Sequence, residues 1–299
     1  MLRGLYTAAS GMIAQQRKHD AITNNVANIN SPGFKQTNAL SRSFPEMMIS
    51  MIRGGGDKPV ATSVGTLHTG VFAEENIAIH AQGDLQETQN PYDFALVSSI
   101  QVPGAVFDGT GKYVTEEGER IFQPQALFTV QNAAGEARYS LNGKFTVNPT
   151  GGLINADGDL VLGRDGQPIN LINPATGLPI RTIKVTDKGE FLDGDGQPML
   201  NAAGQPIGLL LSRAENPNLL LREGNGLYRI NPGDEATVTV VAAADQVEVR
   251  QGFIERSNVD TAQSMVDMMS ALRAYEANQK MVQYYDKSME KAVNEVGRV

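Results

Sequence analysis

The side chains that most often do chemistry are few here and badly spaced for it. The sequence has 3 histidines. His19 lies in a helical stretch far from any triad-like partner, and His68 and His80 lack an H-E-x-x-H pattern. There is no cysteine, so thiolate catalysis, disulfides and cysteine-ligated zinc are excluded. No G-x-S-x-G, phosphate loop or dinucleotide fingerprint is present. The acidic runs Asp157-Gly158-Asp159 and Asp193-Gly194-Asp195-Gly196 invite a calcium reading. A calcium loop needs oxygen ligands at its first, third and fifth positions and Glu at its twelfth. Counting from Asp193, these last two are Gln197 and Gly204; counting from Asp157, the fifth is Val161. Both runs therefore read as turns. No catalytic, cofactor-binding or metal residue is assigned, no cofactor is expected, and the chain reads as no enzyme. A calcium-dependent β-rich adhesin is the residual alternative.

The elements that would position a site differ between the ends and the middle. All 14 prolines lie between Pro32 and Pro232, as do 26 of the 31 glycines. Both residues punctuate turns and break helices, so the middle reads as turn-rich β structure. Leu2, Leu5, Ala9, Met12 and Ile13 follow helical spacing, and the stripe resumes at Ile22, Val26 and Ile29. The helix should end near Asn30-Ser31-Pro32-Gly33. A second helix should start after Ser257 or Asn258 and reach about Val296. Its expected seam is Met265, Met268, Leu272, Tyr275, Gln279, Val282, Asp286, Met289, Val293 and Val296, a coiled-coil pattern with two polar interruptions.

In the middle, Tyr139 to Val147 reads as a hairpin with a three-residue loop bulged at Gly143. Thr237 to Val241 reads as a strand. Arg53 to Val64 reads as a flexible loop. Asp165-Gly166-Gln167-Pro168 recurs as Asp195-Gly196-Gln197-Pro198 and weakly as Ala203-Gly204-Gln205-Pro206, which suggests repeated hairpin turns but no solenoid.

The balance of 25 basic against 33 acidic residues gives a net charge of −8. Phosphate neutralisation needs a basic surface, so no nucleic-acid partner is expected. No apolar run is long enough to span a membrane. The start is a poor secretory signal, leaving either a cytoplasmic protein or export without a cleaved signal. A lone terminal helix is marginal in water, so the ends need each other and neighbouring copies. The expected class is α+β: N- and C-terminal helices form a joint coiled-coil-like domain, with a central mostly-β domain. The expected division is 1–30 with 255–299, a linker at 31–89 and a β domain at 90–254.

Leu5 to Lys35 resembles the N-terminal signature of bacterial flagellar rod and hook proteins. Its most specific part is Asn24-Asn25-Val26-Ala27-Asn28-Ile29-Asn30, followed by Gly33-Phe34-Lys35. Gln251 to Asp260 resembles the lead-in to that family's C-terminal helix, and Met265 to Gln279 resembles the helix itself. Asn90 to Ala95 and Ala126 to Gly158 also match in part. The resemblance is to distal-rod-type proteins first, including the hook–basal-body proteins of Gram-positive bacteria. Proximal-rod and hook subunits of the family are the runners-up. Ser98–Gln125 interrupts a strand that is usually continuous, and Leu192–Asn216 is longer than in a minimal distal-rod protein.

The resemblance implies an axial, non-enzymatic subunit of the flagellar basal body. It would pass the type III export machinery, self-associate into a hollow torque-transmitting tube, and contact neighbouring rod and hook proteins. Its terminal helices would line the inner layer. The expected assembly residues are Leu5, Ala9, Met12, Met265, Met268, Leu272, Tyr275, Val282 and Met289 on the helices. Asn25, Asn28 and Asn30 serve either as caps and turns or as contacts to the linker or a neighbour. Phe34 is either a core anchor or a subunit contact. Met47, Met48, Ile49, Met51 and Ile52 form an apolar patch assigned to a subunit contact over core packing.

Overall fold

The computed structural model describes the chain apart from residues 1, 46, 54–59, 109–110, 173–179, 181–182, 202–203, 243–244 and 297–299. Two compact units are present. The first combines Met1–Ala27, Thr37–Ile77 and Asp260–Val299; the second combines Asn28–Gln36 and Ala78–Val259.

In the first unit, helix α1 spans Leu2–Ala27 and helix α2 spans Thr261–Lys291, followed by a π turn at Ala292–Val296. The α2 N-cap is Asp260, whose carboxylate accepts from the Gln263 N–H at 3.0 Å. Ser257 and Asn258, the expected caps, lie before it. Strand Thr37–Ser43 pairs with Val71–Ala78. Strand Met47–Arg53 pairs antiparallel with Val60–Leu67, with a bulge between Ile49 and Ser50. The expected loop over 53–64 is thus strand at Arg53 and from Val60 on, because Val60-Ala61-Thr62-Ser63-Val64 offers β-branched residues for pairing. The side chains of the Met47-Met48 patch lie outside the described residues.

The second unit is built around a sheet ordered through the strand Gln125–Gln131. Leu127, Phe128 and Val130 are fully buried there. That strand pairs with Ala137–Ser140, Leu160–Val161 and Leu211–Ala214. The expected strand at 237–241 is present as Val238–Val240 beside Leu211–Ala214. The expected 139–147 hairpin is not formed. Tyr139 pairs instead with Thr129 and Tyr228, and Thr146–Val147 pairs with Leu153–Ile154. Gly143 turns the chain between them and lies against the Phe94 carbonyl, where a Cβ would collide. Its own carbonyl accepts from the Phe94 N–H at 2.9 Å.

One turn recurs throughout this unit. The first residue donates its N–H to the carbonyl four residues on, and the residue three on donates back. It occurs at Asp108, Thr115, Asn132, Asn148, Asn155, Gly163, Thr186, Asp193 and Asn201. The donor three residues on is always glycine, with φ between 73° and 90°. That left-handed conformation is what glycine adopts without steric cost. Most first residues also cap the turn with a side-chain oxygen: Asn155 Oδ1 accepts from the Asp157 and Asp159 N–H groups, both at 2.9 Å.

Core positions follow the turns at intervals of eight. Phe145, Leu153, Val161 and Ile169 form one run, and Ile183, Phe191, Met199 and Ile207 form another. In the second run the Phe191 N–H donates to the Ile207 carbonyl, Ile207 to Met199, and Met199 to Phe191. Three successive hairpins therefore close a ring of main-chain hydrogen bonds around an apolar centre. The echo at Asp165 and Asp195 is part of this larger pattern.

Candidate functional site at the chain ends

Helices α1 and α2 pack against each other within the first unit. Gly4 lies against Tyr285, and Gly11 lies against Asn278. The numbers run in opposite senses, so the pair is antiparallel. Glycine lets the α1 backbone approach α2 closely at both levels. Among the described residues of α1, Ala14, Ala21, Ile22 and Asn25 are buried. Leu5, Ala9 and Met12 are half-buried.

The covered face of α2 runs through Ser264, Met268, Ala271, Tyr275, Asn278, Val282, Tyr285, Met289 and Ala292. This is a heptad spacing. It shares Met268, Tyr275, Val282 and Met289 with the expected seam. At the alternate positions the structure turns the preceding residue inward instead: Ser264, Ala271, Asn278, Tyr285 and Ala292 replace Met265, Leu272, Gln279, Asp286 and Val293. Met265 and Leu272 are 53% and 47% exposed, and Met269 beside them is 53% exposed.

Asn25 is fully buried and spends its amide inside the chain. Its Nδ2 donates to the Thr37 carbonyl at 2.8 Å and its Oδ1 accepts from the Thr37 N–H at 2.9 Å. This pair ties the end of α1 to the start of the strand Thr37–Ser43.

The other motif residues lie in the second unit. Asn28 begins a turn in which its carbonyl accepts from the Ser31 N–H at 3.1 Å and its side chain from the Ser31 hydroxyl at 3.2 Å. Asn30 is exposed beside a groove of about 420 Å³ floored by Ile29, Pro32 and Ile254. Gly33 has φ +69°, and a Cβ there would fall 2.7 Å from the Leu141 backbone. Phe34 is half-buried, with the Arg222 guanidinium 4.6 Å above its ring. This is cation–π geometry.

Lys35 was not singled out from the sequence, yet it is among the most buried side chains of the chain. Its Nζ lies 2.7 Å from Glu255 Oε1 and donates to the Ala81 carbonyl at 3.0 Å. Glu255 is buried too, and accepts in addition from the Gly83 N–H at 2.7 Å. Asn258 Nδ2 donates to the carbonyls of Ile79 and Ala81, while its Oδ1 accepts from the Gln36 N–H at 2.7 Å. Arg222 donates to the Lys35 carbonyl. The signal that pointed this way was a lysine and a glutamate, each inside a specific motif.

A polar cavity of about 170 Å³ adjoins the pair, lined by Lys35, Glu255, His80, Gln82 and Gln125 among others. His80 Nδ1 lies 3.0 Å from Gln125 Oε1. Burial lowers its pKa to about 4, and the nearby positive charges of Lys35 and Arg222 act in the same direction. His80 is thus neutral at pH 7. Among the described residues no cluster of His, Asp or Glu is arranged to hold a metal ion, and no helix is long and apolar enough to cross a membrane.

Comparison with known proteins places these features. Residues 5–35 match the family model described as flagella basal body rod protein. Residues 250–295 match that described as flagellar basal body rod FlgEFG protein C-terminal. The flagellar hook-basal body complex protein FlhO of Bacillus subtilis is 36% identical over the whole of both chains. The flagellar basal-body rod protein FlgG of the same organism is 28% identical, over 98% of this chain and 99% of its own. FlgG of Agrobacterium fabrum is 29% identical over 94% of each chain. Two matched end motifs, a helix pair made from both ends, and relatives aligned from end to end agree: the chain belongs to the flagellar basal-body rod protein family.

Proposed function

We propose that this chain is a structural axial subunit of the bacterial flagellar basal body, of distal-rod type. It is exported by the flagellar type III machinery and polymerises through its terminal helices into a hollow, torque-transmitting tube. Its partners are copies of itself and neighbouring rod and hook proteins, and it catalyses no reaction. The full-length similarity to FlhO and FlgG supports the rod reading. A FlgF relative, 27% identical over 99% of both chains, supports a different position in the same rod as the second reading.

The observation that carries the assembly mode is the apolar stripe of Met265, Met269 and Leu272 on α2. These residues stand at i, i+4 and i+7, and so share one helix face. Helix α1 already covers the other face, as half of an antiparallel coiled coil. Functionally, 1–30 and 255–299 act as the assembly domain, 31–89 as the linker, and 90–254 as the β domain.

Leu272→Asp tests this. A charge in an apolar interface costs several kcal/mol. The variant should remain folded by circular dichroism and be absent from purified hook–basal bodies by mass spectrometry. Incorporation at the wild-type level would refute the stripe as an interface.

A further inference from the structure

We infer that Lys35, Glu255 and Asn258 form a preset clasp. It holds the chain leaving α1 and the chain entering α2 in one fixed register, independently of whether the helices themselves are ordered. The clasp residues all belong to the second unit, whereas both helices belong to the first. Three stretches of chain meet in it: Gly33–Gln36, Ile79–Gly83 and Glu255–Asn258. They are joined by the ion pair and also by main-chain bonds, from the Gly33 N–H to the Glu255 carbonyl at 2.8 Å and from the Ile79 N–H to the Gln36 carbonyl at 2.8 Å.

The chemistry makes this joint selective. A buried carboxylate without its cation is strongly disfavoured, whereas a buried pair adds little net stability over apolar residues of the same size. Sliding the Phe34–Gln36 stretch by one residue would put Phe34 or Gln36 opposite Glu255 and leave that buried carboxylate without its cation. Space restricts it further. At Gly83 a Cβ would collide with the Arg256 carbonyl, and at Gly33 with the Leu141 backbone. Arg222 closes the remaining side, through its bond to the Lys35 carbonyl and its stack on Phe34. The pair thus acts chiefly by excluding wrong registers. The inference does not depend on the rod reading, since it concerns the single chain.

Hydrogen exchange on the full-length monomer tests it. The amides of Gly33, Gln36 and Gly83 should exchange as slowly as those of the Gln125–Gln131 strand, with the helix amides exchanging faster. Clasp amides exchanging as fast as the helices would overturn the inference. Lys35→Met and Glu255→Leu should each raise exchange at these amides about 100-fold or more, as expected for an orphaned buried charge. The double variant should recover the wild-type melting temperature within a few degrees and yet exchange about 10-fold faster at Gly33 and Gly83. Wild-type protection in that double variant would also overturn it. If the double variant does not fold, the wild-type exchange pattern decides alone.

Discussion

At the scale of a residue, half-buried His80 should make the β unit acid-sensitive. Burial lowers its pKa to about 4 in the folded chain, from the 6.5 of an unperturbed imidazole. Between these values the unfolded chain binds more protons, so stability falls as pH drops from about 6.5 towards 4. The full difference corresponds to roughly 3 kcal/mol at 1.36 kcal/mol per pKa unit. His80→Gln removes the titrating group. Urea unfolding of this variant should show a flatter pH dependence across that window than the parent, and an unchanged slope would mean His80 is not the source. Residue chemistry of this kind was only partly legible. Lys35 sits in a motif, but its burial depends on Glu255, which lies 220 residues away. Asn25, read as a cap or as a contact to the linker or a neighbour, is buried and bonds Thr37, a residue of that linker.

The helices were legible as elements, and their packing faces less so. Apolar spacing located both α1 and α2, but it favoured Met265 and Leu272 for the covered face of α2. The covered face runs instead through Ser264, Ala271 and Asn278, the last of which lies against Gly11 of α1. Counting apolar side chains misses this, because small residues gain contact by admitting a neighbouring backbone. The two α1 glycines should respond differently to alanine. Alanine gains about 1 kcal/mol of helix propensity over glycine. At Gly11 the new Cβ would meet the Asn278 amide at 3.0 Å, a flexible side chain that can move aside. At Gly4 it would meet the Tyr285 ring end, and overpacking of that kind costs about 1–3 kcal/mol. Thermal melts at 222 nm should therefore show Gly11→Ala unchanged or raised, and Gly4→Ala lowered. Equal shifts would mean that α1 does not approach α2 closely at Gly4.

At the scale of the whole molecule, the chain divides its stability unevenly. The second unit holds the large apolar cluster, from Phe94 through Phe128 and Phe191 to Val249. Among the described residues of α1 and α2, only Ala14, Ala21, Ile22, Asn25, Ser264 and Ala271 are buried. Local opening is easiest where few apolar side chains are buried. Limited proteolysis of the isolated monomer should therefore remove both ends before it cuts the β unit. Uniform resistance would show that the helix pair is as stable as the core. The β class of the middle was readable from its glycines and prolines. Its eight-residue rhythm was not, because the reading followed the repeated Asp-Gly-Gln-Pro letters. The rhythm is carried by Phe145, Leu153, Val161, Phe191 and their fellows, which share apolar character and a place in the core but not one residue type. The 139–147 hairpin failed because its two flanks pair elsewhere, Ala137–Ser140 with Gln125–Gln131 and Leu227–Arg229, and Thr146–Val147 with Leu153–Ile154.

The recurring turns also offer experimental access. The Asp193–Gly196 tip is exposed, and its shape is set by main-chain bonds and one glycine. The sequence contains no thiol. A single cysteine at Asp195, which is neither that glycine nor the capping residue, would be the one reactive sulfur in the subunit. A dye placed there would leave the sequence of both helices unchanged and would report the spacing of copies in the proposed tube.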